Sequence, residues 1–156
     1  MQDTRNETAA AADRREWMGL LARSAPDRLA ALLPADLAAE LDAATWLRPA
    51  EIAAVMVRGR AGGTGAPFNL GEMTVTRCVL RLSSGAVGMA QVQGRDRAHA
   101  ARAALVDALL QGPGAAAVRA AVLAPLAADE AARRMARAER AAATKVEFFT
   151  LVRGED

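Results

Sequence analysis

The stretch MTVTRCVLRL from Met73 to Leu82, the link Ser83-Ser84-Gly85 and the stretch VGMAQVQ from Val87 to Gln93 constrain the fold more than any other part of the chain. Apolar and β-branched side chains recur along both stretches, and a short serine-glycine link is turn chemistry, so together they predict an antiparallel hairpin. Alternation across the pleat places Thr74, Thr76, Cys78, Leu80 and Leu82 on one face and Met73, Val75, Arg77, Val79 and Arg81 on the other. Both faces are partly apolar, so neither reads as simply solvated. A third strand is expected where Ile52, Val55, Met56 and Val57 lead into RGRAGGTG.

Helical periodicity surrounds these strands. DRREWMGLLARS puts Trp17, Leu20 and Leu21 on one helical face, with Asp13 as its expected cap. Ser24-x-x-Asp27 with Pro26 in the first turn reads as a capping-box variant ahead of Leu29, Leu32 and Leu33, and Pro34 resets the helix before Leu37 and Leu41. Asp96 is a good N-cap for a helix that carries Leu105, Val106, Leu109 and Leu110 and stops at Gly112-Pro113-Gly114. A late helix, DEAARRMARAERAAA, holds Glu130 and Arg134 in the favourable i, i+4 order. Val146 to Val152 reads as a final strand with two apolar faces, covered either by a partner or by the chain's own sheet. The expectation is an α+β fold, a small mainly antiparallel sheet flanked by helices, with residues 1–12 as a disordered tail and 13–156 as one domain.

Composition sets the character of the core. The chain has 156 residues, of which 41 are alanine, and its aromatics are only Phe68, Phe148, Phe149, Trp17 and Trp46. Such a core must be thin and closely packed. Twenty basic residues against 18 acidic ones give a net charge of +2, which with so few stacking rings speaks against a nucleic-acid binder. A lone Cys78 excludes a disulfide framework and any cysteine-based zinc or iron-sulfur site, and points to a reducing compartment. No stretch approaches the roughly 20 apolar residues of a membrane span, and the N-terminus lacks a secretory apolar region, so a cytoplasmic location is expected.

Candidate chemistry is sparse. The loop Gly62-Gly63-Thr64-Gly65 follows Arg58 and Arg60, and successive glycines let backbone N–H groups converge on an anion. It lacks the Lys-Ser/Thr ending of a P-loop and precedes a strand where nucleotide motifs need a helix, so an ordinary tight connection competes with a phosphate contact. Asp96 and His99 lie near one face of a first helical turn, which admits a proton-transfer pair or a cap beside a locally bonded histidine. Arg58, Arg60, Arg77, Arg81, Arg95 and Arg97 lie in or beside the sheet, where guanidiniums can bind phosphate or carboxylate, whereas Arg133, Arg134, Arg137 and Arg140 read as a solvated face. No catalytic set and no metal site emerges. The alternative is an independent phosphate- or nucleotide-binding enzyme that uses Asp96, His99 and the glycine loop.

RREWMGLLARS, RAGGTGAPFNLGEMTVTR from Arg60 to Arg77, VQGRDRAHA from Val92 to Ala100, ALVDALLQ from Ala104 to Gln111 and KVEFFTLVRGED from Lys145 onward stand in one order along the chain. In these strings the sequence resembles the PhnG family, components of the bacterial carbon-phosphorus lyase core complex. The resemblance implies an accessory subunit that works with subunits I, H and J, and more transiently with the ATPase-like subunits K and L. It implies no cofactor on this chain and ATP as a substrate of the complex, whose ribose 5-triphosphate passes to an alkylphosphonate with release of adenine. The residues expected to face substrate or partners are Arg60, Gly62, Gly63, Gly65, Arg77, Arg95, Asp96, His99, Phe148 and Phe149.

Overall fold

Residues 9–12 are four alanines, the strongest helix formers, and no proline interrupts the chain before Pro26. In the computed structural model, which describes residues 2–144, helix α1 accordingly runs over Gln2–Arg23. It takes in the stretch expected to be a tail and leaves Asp13 inside the helix, where it pairs with Arg119 instead of capping. Helix α2 (Pro26–Leu32) is preceded by Ala25 as N-cap with no side-chain cap. The expected capping box is therefore absent: Ser24 Oγ instead donates to the Leu21 carbonyl at 2.7 Å, closing the end of α1. Two single-turn helices follow, α3 (Ala35–Ala38), entered from Pro34 as expected, and α4 (Glu40–Ala43).

Strands β1 (Thr45–Arg60), β2 (Pro67–Arg81) and β3 (Val87–Gln93) form one antiparallel sheet in the order β1-β2-β3. The hairpin read from sequence is present, with Cys78 opposite Ala90 and Leu80 opposite Gly88. The third strand is longer than its apolar core suggested and begins ahead of Pro49. Because β1 is an edge strand, a proline without N–H is tolerated there, and the pairing register slips between Arg48 and Glu51.

Helix α5 (Arg97–Leu109) packs on β2 and β3, with Asp96 as N-cap accepting from the His99 backbone N–H at 2.8 Å. Helix α6 (Ala115–Val118) runs through a π-helical segment, Arg119–Leu123, into α7 (Ala124–Ala143). Pro125 explains the widened turn, since a proline inside a helix removes one N–H and crowds the carbonyl four residues before it. The end of the chain, including the expected strand Val146–Val152 with Phe148 and Phe149, lies outside the described residues.

The core lies between the sheet and α1, α2, α5 and the α6–α7 rod. Thr76, Cys78, Leu80 and Leu82, which alternation places on one face, are buried against Leu21, Leu29, Leu105, Val106, Val122 and Leu126. Small residues bring the layers close: Ala100, Ala103, Ala104 and Ala108 of α5 are all buried, and a Cβ built on Gly88 would overlap the Ala104 carbonyl oxygen. Burial pushes the Cys78 thiol up to about 11, so almost none of it is thiolate near neutrality. A thiol reagent at pH 8 is expected to leave Cys78 untouched in the folded chain and to label it fully after denaturation; rapid labelling of the native protein would contradict its place in the core.

One ion pair crosses this core. Asp107 on α5 is fully buried and accepts from Arg14 Nε at 3.1 Å, from the Arg14 terminal guanidinium nitrogen Nη2 at 2.7 Å, from Trp17 Nε1 at 2.9 Å and from the Met89 backbone N–H at 2.9 Å. Its two carboxylate oxygens thus tie α1, β3 and α5 together. The Arg14 guanidinium extends to the Val87 carbonyl and stays part-exposed. Arg119 lies 4.8 Å from the centre of the Trp17 ring, a cation–π contact that also joins the α6–α7 rod to α1.

Candidate functional site

Beyond the core the β1–β2 hairpin continues as an arm. Every residue of β2 from Pro67 to Glu72 is exposed, and the paired segment from Ala54 to Arg60 extends roughly 24 Å at the usual strand rise. A register shift between Val57 and Arg58 bends it. Gly59 brings Phe68 and Leu70 together on one face, since a Cβ at Gly59 would meet both within 3.8 Å. Ile52 and Met56 occupy the other face, opposite Thr76 and Glu72. Phe68 is 45% exposed, Leu70 65% and Met56 51%, so the arm is apolar on both faces and covered on neither.

The glycine loop forms the tip of this arm. Gly62 (φ 59°) and Gly63 (φ 80°) adopt the left-handed conformation that favours glycine, the Gly65 N–H donates to the Ala61 carbonyl at 2.9 Å, and the Arg60 guanidinium donates to the Gly65 carbonyl at 3.0 Å. These bonds close the turn on itself, which is the behaviour of a tight connection. Arg77 lies further along β2 and is engaged with Glu51 at 2.7 Å. Arg95 is exposed in the turn before α5.

Asp96 and His99 do not form a proton-transfer pair. The Asp96 carboxylate is used on the His99 backbone N–H, while the buried His99 ring places Nε2 at 3.0 Å from the Leu21 carbonyl and 3.3 Å from Ser24 Oγ. A carbonyl only accepts, so Nε2 carries a proton. The ring thus locks α5 to the end of α1. The arm-tip residues and His99 line separate cavities, so the structure does not unite the residues of the independent-enzyme reading.

A second feature arises where sequence reading saw only a solvated helix face. Along the edge of β3 that no described strand pairs lies a groove of about 840 Å³ bounded by Gln91 and Gln93, by Arg23 at the end of α1, and by Arg133, Arg134 and Arg137 of α7. Its one carboxylate among the described residues, Glu130, accepts from Arg23 at 2.9 Å and from Arg134 at 2.8 Å. The Arg23 hydrogen bond, helped by Arg134, holds the Glu130 carboxyl below its ordinary range. Among the described residues, no ion pair forms to Arg133 or Arg137. No three His, Cys, Asp or Glu side chains gather as a metal site needs, again among the described residues.

The described helices include none long and apolar enough to cross a membrane. A family described as phosphonate metabolism protein PhnG matches residues 12–154. The chain belongs to the PhnG family. A PhnG relative from Rhizobium meliloti (strain 1021) is 45% identical over 151 residues, covering 97% of this chain and 96% of its own length. That relative is named alpha-D-ribose 1-methylphosphonate 5-triphosphate synthase subunit PhnG. The family strings fall on the elements that shape the molecule: RREWMGLLARS on the buried face of α1, the long central string on the arm and β2, and VQGRDRAHA on the β3–α5 junction. Within this PhnG family member, sequence reasoning missed the groove arginines and the two-faced arm. Arg133 and Arg137 did carry a signal, a like-charged i, i+4 pair that costs an isolated helix a few tenths of a kcal/mol.

Proposed function

We propose that the chain is an accessory subunit of the carbon-phosphorus lyase core, with subunits I, H and J as its stable partners and the ATPase-like K and L as transient ones. In this reading the complex transfers ribose 5-triphosphate from ATP to an alkylphosphonate and releases adenine. The chain shapes that assembly without supplying catalytic residues or a cofactor of its own, in the cytoplasm. The observation that carries the reading is the hairpin arm: apolar side chains on both faces, left in water, are what a segment inserted between partner surfaces presents. The name of the Rhizobium relative, a synthase subunit, supports the same assignment. The expected terminal strand with Phe148 and Phe149 supplies a second docking element under this proposal, toward the I subunit.

The test is co-expression of the tagged chain with subunits H, I and J, followed by size-exclusion chromatography and mass determination. A stoichiometric complex is expected. Replacing Phe68 and Leu70 together by aspartate should reduce recovery of the complex at least about tenfold, because two charges would be driven into an apolar contact. Both side chains are exposed in the free chain, so its own thermal unfolding should barely move. Undiminished assembly by this variant would remove the arm from the interface, and a chain that ignores all three partners would overturn the subunit reading itself.

A further inference from the structure

We infer that the groove between α7 and the β3 edge is a polyanion site that takes the phosphate chain of a triphosphate. Among the described residues, four guanidiniums, from Arg23, Arg133, Arg134 and Arg137, face one carboxylate there, an excess of three positive charges among these groups. Glu130 does not neutralise the set; it orders it. Its two oxygens fix Arg23 and its Oε1 also fixes Arg134, which sets two forks before any ligand arrives.

Arg133 and Arg137 stand one helical turn apart on the same lining, repelling each other with no described carboxylate between them. A bound anion relieves that repulsion. Guanidiniums spaced along a helix suit successive phosphoryl groups, since each planar fork can donate two parallel hydrogen bonds to phosphate oxygens. The groove volume is that of a small-molecule site, and its wall continues into the half-buried Met73, backed by the buried Val75 and Val92, against which the remainder of a nucleotide-sized ligand can lie. Gln91 and Gln93 add amide donors at the strand edge. The choice of a triphosphate among polyanions rests on the reading of the chain as a synthase subunit; the charge and shape of the groove do not.

The test is calorimetric titration of the full-length chain with inorganic tripolyphosphate and with inorganic phosphate, at low and raised salt. Saturable tripolyphosphate binding is expected, tighter than phosphate and weakened by salt. The double variant Arg133→Ala/Arg137→Ala should weaken it about tenfold or more, the effect of losing one or two charge-assisted contacts. Arg140→Ala removes one positive charge from the same helix outside the groove and should leave affinity unchanged. Alanine is a better helix former than arginine, so these variants keep α7. The proposal is overturned if the wild-type chain shows no saturable binding, if the double variant binds as well as wild type, or if Arg140→Ala weakens binding as much as the double variant. It is also overturned if the double variant loses assembly with subunits H, I and J while tripolyphosphate binds neither form, which would assign the groove to a partner's carboxylates. Assembly of the wild-type chain is measured separately, so failure of the groove and failure of the subunit reading give different results.

Discussion

Asp107→Ala is expected to lower folding stability by about 3–5 kcal/mol, the usual loss when one partner of a buried ion pair is removed. The carboxylate, on α5, is the acceptor for four hydrogen bonds from two other elements, α1 and β3. Arg14 is part-exposed, with 31% of its side chain accessible, and recovers water once released. The Trp17 indole N–H and the Met89 backbone N–H have no such recourse, and each unpaired buried donor costs about 1–3 kcal/mol. Urea denaturation followed by tryptophan fluorescence measures the effect, as a lower midpoint at unchanged slope. Asp107→Asn should fall between wild type and the alanine variant, because its amide keeps one acceptor but turns an N–H₂ toward donors. A loss below about 1 kcal/mol for Asp107→Ala would show that the network is not what holds α1 on the sheet.

The second large effect is expected at Gly88. An added methyl would overlap the Ala104 carbonyl oxygen and lie 2.9 Å from Ala108 Cβ. Neither neighbour is the yielding end of a long side chain, so β3 and α5 must separate. Gly88→Ala should therefore cost about 3 kcal/mol, at the upper end of overpacking losses, and lower soluble yield. Gly71 in the arm provides the comparison, for a Cβ added there would meet nothing within 4 Å. Gly71→Ala should stay within about 0.5 kcal/mol of wild type. Equal stability of the two variants would mean that the sheet-to-helix spacing is not set by Gly88.

Much of the architecture was legible because it is local. Alternation along Met73–Leu82 correctly put Thr76, Cys78, Leu80 and Leu82 on one face, all of them buried, while Val75 of the other face is buried as well. Asp96 was recognisable as a cap because capping is decided within one turn. The same reasoning failed at Ser24 and Asp13, where competing bonds intervened: Ser24 turned back to the Leu21 carbonyl, and α1 ran through Asp13 from an alanine-rich start. Pro49 hid the first part of β1, since a proline argues against a strand unless the strand's edge position is known.

For the candidate sites, sequence supplied the side chains and topology supplied their meaning. Phe68 and Leu70 could be read as strand residues, but whether an apolar strand face is covered depends on where the helices lie, and here they stop short of the arm. His99 looked like chemistry and became a structural bond because the end of α1, far away in the chain, brought the Leu21 carbonyl to it. Arg133, Arg134 and Arg137 looked like solvated charges until α1 and the β3 edge closed a groove around them. By itself, then, the sequence determined the β2–β3 hairpin, the centre of β1, the main helices and family membership, all of which rest on local periodicity and local strings. Only the tertiary structure decided which apolar face stays open and which charges converge, because both depend on contacts between segments about a hundred residues apart, such as Arg23 with Glu130.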